Sequence, residues 1–152
     1  MKRRTHITAI SCAAMLAVLT LLVFLVFSGE RSGSGGSSAA PIAWGENYEE
    51  AVERAGEDGK LVLMEFFAEW CGACEAMERT TFADDRVRDA VGAFVPLKVD
   101  VDKQPHIAQL YGIESLPTTV IVEPSGEPVA GVVGYMQSED FLEWLATPPS
   151  EG

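Results

Sequence analysis

Three cysteines and two histidines are all that the 152 residues offer to a soft metal. Structural zinc asks for about four ligands, yet Cys12 lies in an apolar segment, His6 in the basic N-terminus and His106 far along the chain. No metal site is expected, and His106 reads as a surface residue. Copper held between Cys71 and Cys74 is the one form so small a set still allows. Positive charge is also scarce. Residues 41–152 hold seven Lys/Arg against twenty-two Asp/Glu, with no basic patch among aromatics. Phosphates and anionic lipid repel such a surface, which excludes nucleic acid as a partner and fits a solvated, soluble domain. Uncharged apolar runs of membrane length are absent, with one exception at the N-terminus.

That exception is Ile7–Phe27, without a single charge and preceded by a basic leader, residues 1–6, carrying Lys2, Arg3 and Arg4. As a helix it would be about 32 Å long, close to the hydrocarbon thickness of a bilayer. A cleavable signal has an apolar stretch of only about 7–15 residues, so 7–27 reads as an uncleaved, single-pass signal anchor. The positive-inside rule keeps the leader in the cytoplasm, which puts the rest of the chain beyond the inner membrane, in the periplasm or its extracytoplasmic equivalent. Residues 28–40 are Gly/Ser-rich, a flexible tether with a root-mean-square span of about 20 Å. Residues 41–147 suffice for one domain, expected to be a monomer, and 148–152 are a tail.

The rest is organised around Trp70-Cys71-Gly72-Ala73-Cys74, where the apolar run Leu61–Phe67 gives way to a helical pattern. A strand delivers Cys71 to a helix start, where unpaired N–H groups and the helix dipole favour a thiolate. That makes Cys71 the candidate nucleophile. Cys74, one turn later on the same face, can attack a mixed disulfide on Cys71 and is the candidate resolving thiol. A Cys-x-x-Cys also writes half a zinc site or a plain structural disulfide, and these readings stay open beside redox exchange. Glu65 is the oddity of its strand. A carboxylate there is costly unless paired or protonated, so it is either functional or turned to an edge.

Around this stretch the pattern predicts a helix from Tyr48 capped by Asn47, a strand over 60–67, a helix through 79 interrupted at 80–82 and resumed over 84–93, and a strand over 94–101. A short helix over 104–111 and two antiparallel strands, 119–122 and 129–135, joined by Pro124-Ser125-Gly126 follow. A helix over 140–146 ends the domain, with Phe141, Leu142 and Leu145 toward the sheet and Trp144 either joining them or covering an edge. The helical crossover makes the first two strands parallel neighbours. The fold class is therefore α/β, with a central mixed sheet flanked by helices.

This order, with Glu65-Phe66-Phe67-Ala68-Glu69-Trp70-Cys71-Gly72-Ala73-Cys74 and Leu116-Pro117-Thr118, resembles the thioredoxin superfamily over residues 44–146. Met77–Val87, with Thr81-Phe82 and Asp84-Asp85, is closer to the C-terminal periplasmic domain of the electron-transfer protein DsbD. The resemblance implies a thioredoxin-like fold and a protein-disulfide oxidoreductase whose only cofactor is its own Cys71–Cys74 disulfide. It implies a cis Pro117 and a Leu116 backbone that pairs with substrate. Trp70, Gly72 and Ala73 would belong to the docking surface, and Glu65 would move the proton of Cys74 through water. Protein disulfides or dithiols are then the partners, recharged by a DsbD-type membrane donor, with cytochrome-maturation factors among the possible clients. Gly72-Ala73 brings no positive charge and Glu65, Glu69 and Glu75 oppose a thiolate, which points to a reductant or electron relay. An oxidase or isomerase, or a copper metallochaperone, would use the same cysteines.

Overall fold

Apolar side chains on both faces of one strand force it to the centre of a sheet, because each face must be covered. That strand is β1, Val62–Phe67. In the computed structural model, which describes residues 39–146, β1 pairs in parallel with β2 (Val95–Asp100) and antiparallel with β3 (Thr118–Val122). The second antiparallel partner of β3 is β4 (Pro128–Val133), giving the order β2-β1-β3-β4. The mixed sheet is the one expected. The basic leader, the 7–27 span, most of the 28–40 tether and the 148–152 tail lie outside the described residues. Among the described residues no helix is long and apolar enough to cross a membrane.

Two layers of helix cover the sheet. On one face α1 (Tyr48–Asp58) and α4 (Pro105–Leu110) bring Ala51, Ala55, Ile107 and Ala108 against Met64, Phe66, Leu97 and Val120. On the other, α2 (Gly72–Arg79), α3 (Asp85–Val91) and α5 (Ser138–Ala146) bring Met77, Val87, Val91 and Phe141 against Leu63 and Ile121. The i, i+3, i+4 spacing buries Phe141, Trp144 and Leu145 of α5 together, while Leu142 is only partly covered. Trp144 therefore joins the inner face, one of its two expected places, and Leu142 packs on the same cluster less deeply than expected.

Element ends differ from expectation by one to three residues. β1, β2 and β4 are shorter because pairing, not hydrophobicity, bounds them: Leu61 and Phe94 carry apolar side chains outside the ladder, whereas β3 gains Thr118 by pairing with Phe66 and Val133. The last strand starts at Pro128, one residue early, across a register irregularity at Ile121/Val122. A bridge unseen in the sequence adds Gly45 beside Leu97, its N–H donating to the Pro96 carbonyl at 2.9 Å and its carbonyl accepting from Lys98 N–H at 2.9 Å. At the hairpin, Gly126 has φ +86°, and a Cβ there would stand 2.6 Å from the Tyr48 hydroxyl, so only glycine fits.

The caps follow the local chemistry. The side chain of Asn47 accepts from Glu50 N–H at 3.1 Å, and Gly59 closes α1 with φ +64°. Asn47→Ala should lower stability by about 1 kcal/mol, measured as a shift of the urea midpoint at constant slope. An unchanged midpoint would show that the helix start is held by packing alone.

Candidate functional site

Cys71 leaves β1 after a short loop and becomes the N-cap of α2, with Glu75 N–H donating to its carbonyl as the first helical bond. Its Sγ accepts from Cys74 N–H at 3.2 Å. Cys74 closes a disulfide with Cys71, the two Cα atoms 5.3 Å apart. Both cysteines are equally covered, each 7% exposed, so burial does not distinguish them. Position does: only the sulfur of Cys71 receives a helix N–H, which favours negative charge there. Gly72 and Ala73 are exposed at the head of the helix.

Two loops frame the pair. Leu116 packs against the cluster of Ala68, Cys71 and Cys74, and its bond to the buried Pro117 is cis, as the resemblance implied. Trp70 is 72% exposed beside Cys71, an unusual place for so large an apolar ring. Its indole N–H donates to Asp102 at 2.8 Å. One residue earlier, Glu69 pairs with Lys103 at 3.1 Å, and Lys103 also reaches Asp100 at 2.9 Å. That Lys103 contact holds the Asp100 carboxyl below its ordinary range, helped by Asp102 N–H. Residues 100–103 thus fix the ring at the edge of the site.

Glu65 is not turned to an edge. It lies in the central strand, 1% exposed, and Thr119 Oγ1 donates to its Oε2 at 2.8 Å. Burial pushes its carboxyl up to about 8, against the smaller opposing effects of the Thr119 hydroxyl and the Lys98 charge; Glu78 adds to the rise. A cavity of about 210 Å³ joins Glu65 to Cys71 and Cys74, and Glu69, Glu75, Glu78 and Lys98 line it too. Such a space, mostly apolar but reached by the Glu65 carboxyl and other carboxylates, is large enough for water. Among the described residues Lys98 is the only cation on the wall, and it is paired with Glu78.

Glu78, Lys98, Thr119 and Asp102 escaped the sequence reading. Lys98 and Thr119 are the register partners of Glu65 on either side, and register across remote strands has no local signature. Glu78 had one: it follows Cys74 by four residues, the spacing of one helix face. His106 is exposed, and among the described residues no three His, Cys, Asp or Glu side chains are grouped to hold a metal ion.

A profile described as a thioredoxin-like domain matches residues 48–147. The thiol:disulfide interchange protein DsbD of Vibrio cholerae is 37% identical over 101 residues, 62% of this chain but 17% of that protein's length. Thioredoxin of Rickettsia felis is 34% identical over 84 residues, 55% of this chain and 77% of that one. Among solved structures, a DsbH oxidoreductase superposes with TM-score 0.67 at 19% identity over 78% of this chain and 92% of its own, a likeness of fold alone. A thioredoxin from Thermus thermophilus superposes at 0.63 with 27% identity, over 70% of this chain and 86% of its own.

Proposed function

The chain belongs to the thioredoxin-like family of thiol:disulfide oxidoreductases, and from that premise we propose that it works as a reductant or electron relay for protein disulfides, tethered beyond the membrane by residues 7–27. In the reducing direction the Cys71 thiolate attacks a partner disulfide. One partner sulfur leaves as a thiolate and takes up a proton, and a mixed disulfide remains on Cys71. Cys74 then loses its proton toward Glu65 through water in the shared cavity and attacks Cys71 Sγ. The second partner thiol departs, the Cys71–Cys74 disulfide forms, and two electrons have passed to the partner. A membrane dithiol of the DsbD type, acting by the same exchange in reverse, restores the dithiol. No cofactor beyond the disulfide is needed.

The observation that carries the direction is the charge around the sulfurs. Beside Glu65, which keeps its proton near pH 7, three carboxylates, Glu69, Glu75 and Glu78, line the cavity with the pair, and Lys98, the one cation there among the described residues, is already matched by Glu78. A thiolate formed there is opposed by the carboxylates around it, so the reduced form is less stabilised than in an oxidase and the pair is held at low potential. About 30 mV corresponds to 1.4 kcal/mol, so modest repulsion suffices. Leu116 and Trp70 beside the pair fit a partner that docks as a protein. The test is equilibration of the full chain with glutathione. The expected potential is near that of thioredoxin, about −270 mV; a value near about −120 mV, that of a strong oxidase, would reverse the direction assigned here.

A further inference from the structure

The strand β4 ends the sheet, and among the described residues nothing pairs with its outer edge. Gly134 N–H donates to the Pro117 carbonyl at 2.8 Å, and the ladder continues as Val133↔Thr118, Val132↔Thr119, Gly131↔Val120 and Ala130↔Ile121. Bonded and non-bonded pairs alternate along an antiparallel ladder. Val132 and Ala130 therefore turn their N–H and C=O toward β3, whereas Gly131 and Val133 turn theirs to the open edge. Both residues are exposed, Val133 by 67%.

Beside that edge, on the face covered by α1 and α4, runs a groove of about 700 Å³. Val120 and Ile113 line it together with the exposed Leu110 and Val133. At its hairpin end, Tyr111 Oη donates to the Gly126 carbonyl at 2.9 Å and bonds the Tyr48 hydroxyl at 2.8 Å, so the groove is pre-formed. Among the described residues the acidic groups that line it are Glu127, just before β4, and Glu114, in the loop running into Leu116. Neither has an ion-pair partner among the described residues. Among the described residues no Lys or Arg lines the groove: Arg54, Arg79, Arg86, Arg88, Lys98 and Lys103 are paired elsewhere and Lys60 is bonded to the Gly92 carbonyl.

We propose that this edge and groove dock an extended, basic segment of the partner protein as a fifth strand. The segment bonds to the outward N–H and C=O of Gly131 and Val133, seats alternate apolar side chains in the groove, and sets a Lys or Arg against Glu127 and another against Glu114. A second copy of this chain is the wrong occupant, since pairing β4 with β4 would bring like carboxylates together. One end of the groove adjoins Leu116, which packs on the Cys71–Cys74 pair, so a docked segment leads its own chain toward the sulfurs. This docking rests on the reading of the chain as an exchanger that acts on proteins, and it names the class of partner chosen.

The test titrates the oxidised full chain, in detergent micelles, with two cysteine-free synthetic peptides sharing a Val-Thr-Val core, one flanked by lysines and one by glutamates. Backbone amide shifts are followed by NMR. The lysine peptide should shift Gly131, Val133 and Leu110 saturably, and bind about fivefold or more tighter than the glutamate peptide, the scale of two exposed ion pairs. Reversing Glu114→Lys and Glu127→Lys together should invert that preference. Gly131→Pro removes an outward N–H without touching a bond to β3, and should weaken binding about fivefold while reduction of a small-molecule disulfide stays unchanged. Equal affinities, no shift at β4, shifts confined to Trp70 and Leu116, or shifts that follow dilution of the chain alone would each overturn the proposal. The peptides carry no sulfur, so failure here is distinct from failure to exchange with glutathione.

Discussion

Replacing Cys74 with Ser should stop turnover and leave the chain covalently joined to its protein partners. The first attack needs only Cys71, whose Sγ sits at the N-cap of α2. The second needs the sulfur one turn later, 5.3 Å away between Cα atoms, and serine is a far weaker nucleophile than a thiol. Multiple-turnover reduction should fall by a factor on the order of 10⁴ or more, the scale for losing one member of a catalytic unit. Mass spectrometry should find adducts on Cys71, each identifying a partner. Cys71→Ser should give the same loss without adducts. Both variants lack the disulfide crosslink, so reduced wild type is the proper reference for their stability. If Cys74→Ser turned over normally, or if Cys71→Ser collected the adducts instead, the assignment of nucleophile and resolving thiol would be wrong.

Replacing Glu65 with Gln should make the protein more stable and the exchange slower at once. Its carboxyl stands at about 8 in the fold against an ordinary 4.5, chiefly through burial. Below pH 4.5 folded and unfolded chains both hold this proton, and the group contributes no pH dependence. Between 4.5 and 8 the unfolded chain releases it while the folded chain keeps it, so stability falls as pH rises, by about 1.4 kcal/mol per unit. Above 8 the penalty is complete. Glu65→Gln abolishes this slope and at pH 7 should gain on the order of 2–3 kcal/mol, read from urea denaturation across pH. The same change removes the proton acceptor of Cys74 and should slow release of the mixed disulfide by about 10², with the rise of that step through pH 8 flattened. A stability gain that did not depend on pH would mean that Lys98 ionises Glu65 at little cost.

Most of the fold was legible because its signals are local. An apolar run of strand length, a Cys-x-x-Cys at a helix start, Asn47 as a cap, and Pro124-Ser125-Gly126 between two apolar segments each act within a few residues. The parallel pairing of β1 and β2 followed from the helical crossover. The ends of elements were less legible, since Leu61, Phe94 and Tyr135 are as apolar or β-prone as the residues inside the ladders. For the site, Cys71, Cys74 and the oddity of Glu65 stood out. The equal burial of the two cysteines did not, nor did the clamp that ties Trp70 to Asp102 and Glu69 to Lys103.

What the sequence determined alone is which sulfur meets the helix start, and that a carboxylate stands in an apolar strand. What only the tertiary structure decided is the company Glu65 keeps, with Thr119 on one side, Lys98 on the other and Glu78 across the cavity, together with the bare outer edge of β4. Helix caps and periodicities depend on neighbours a few bonds away. Register and strand order are set when segments dozens of residues apart bury their faces against one another, and no short stretch of chain encodes that choice.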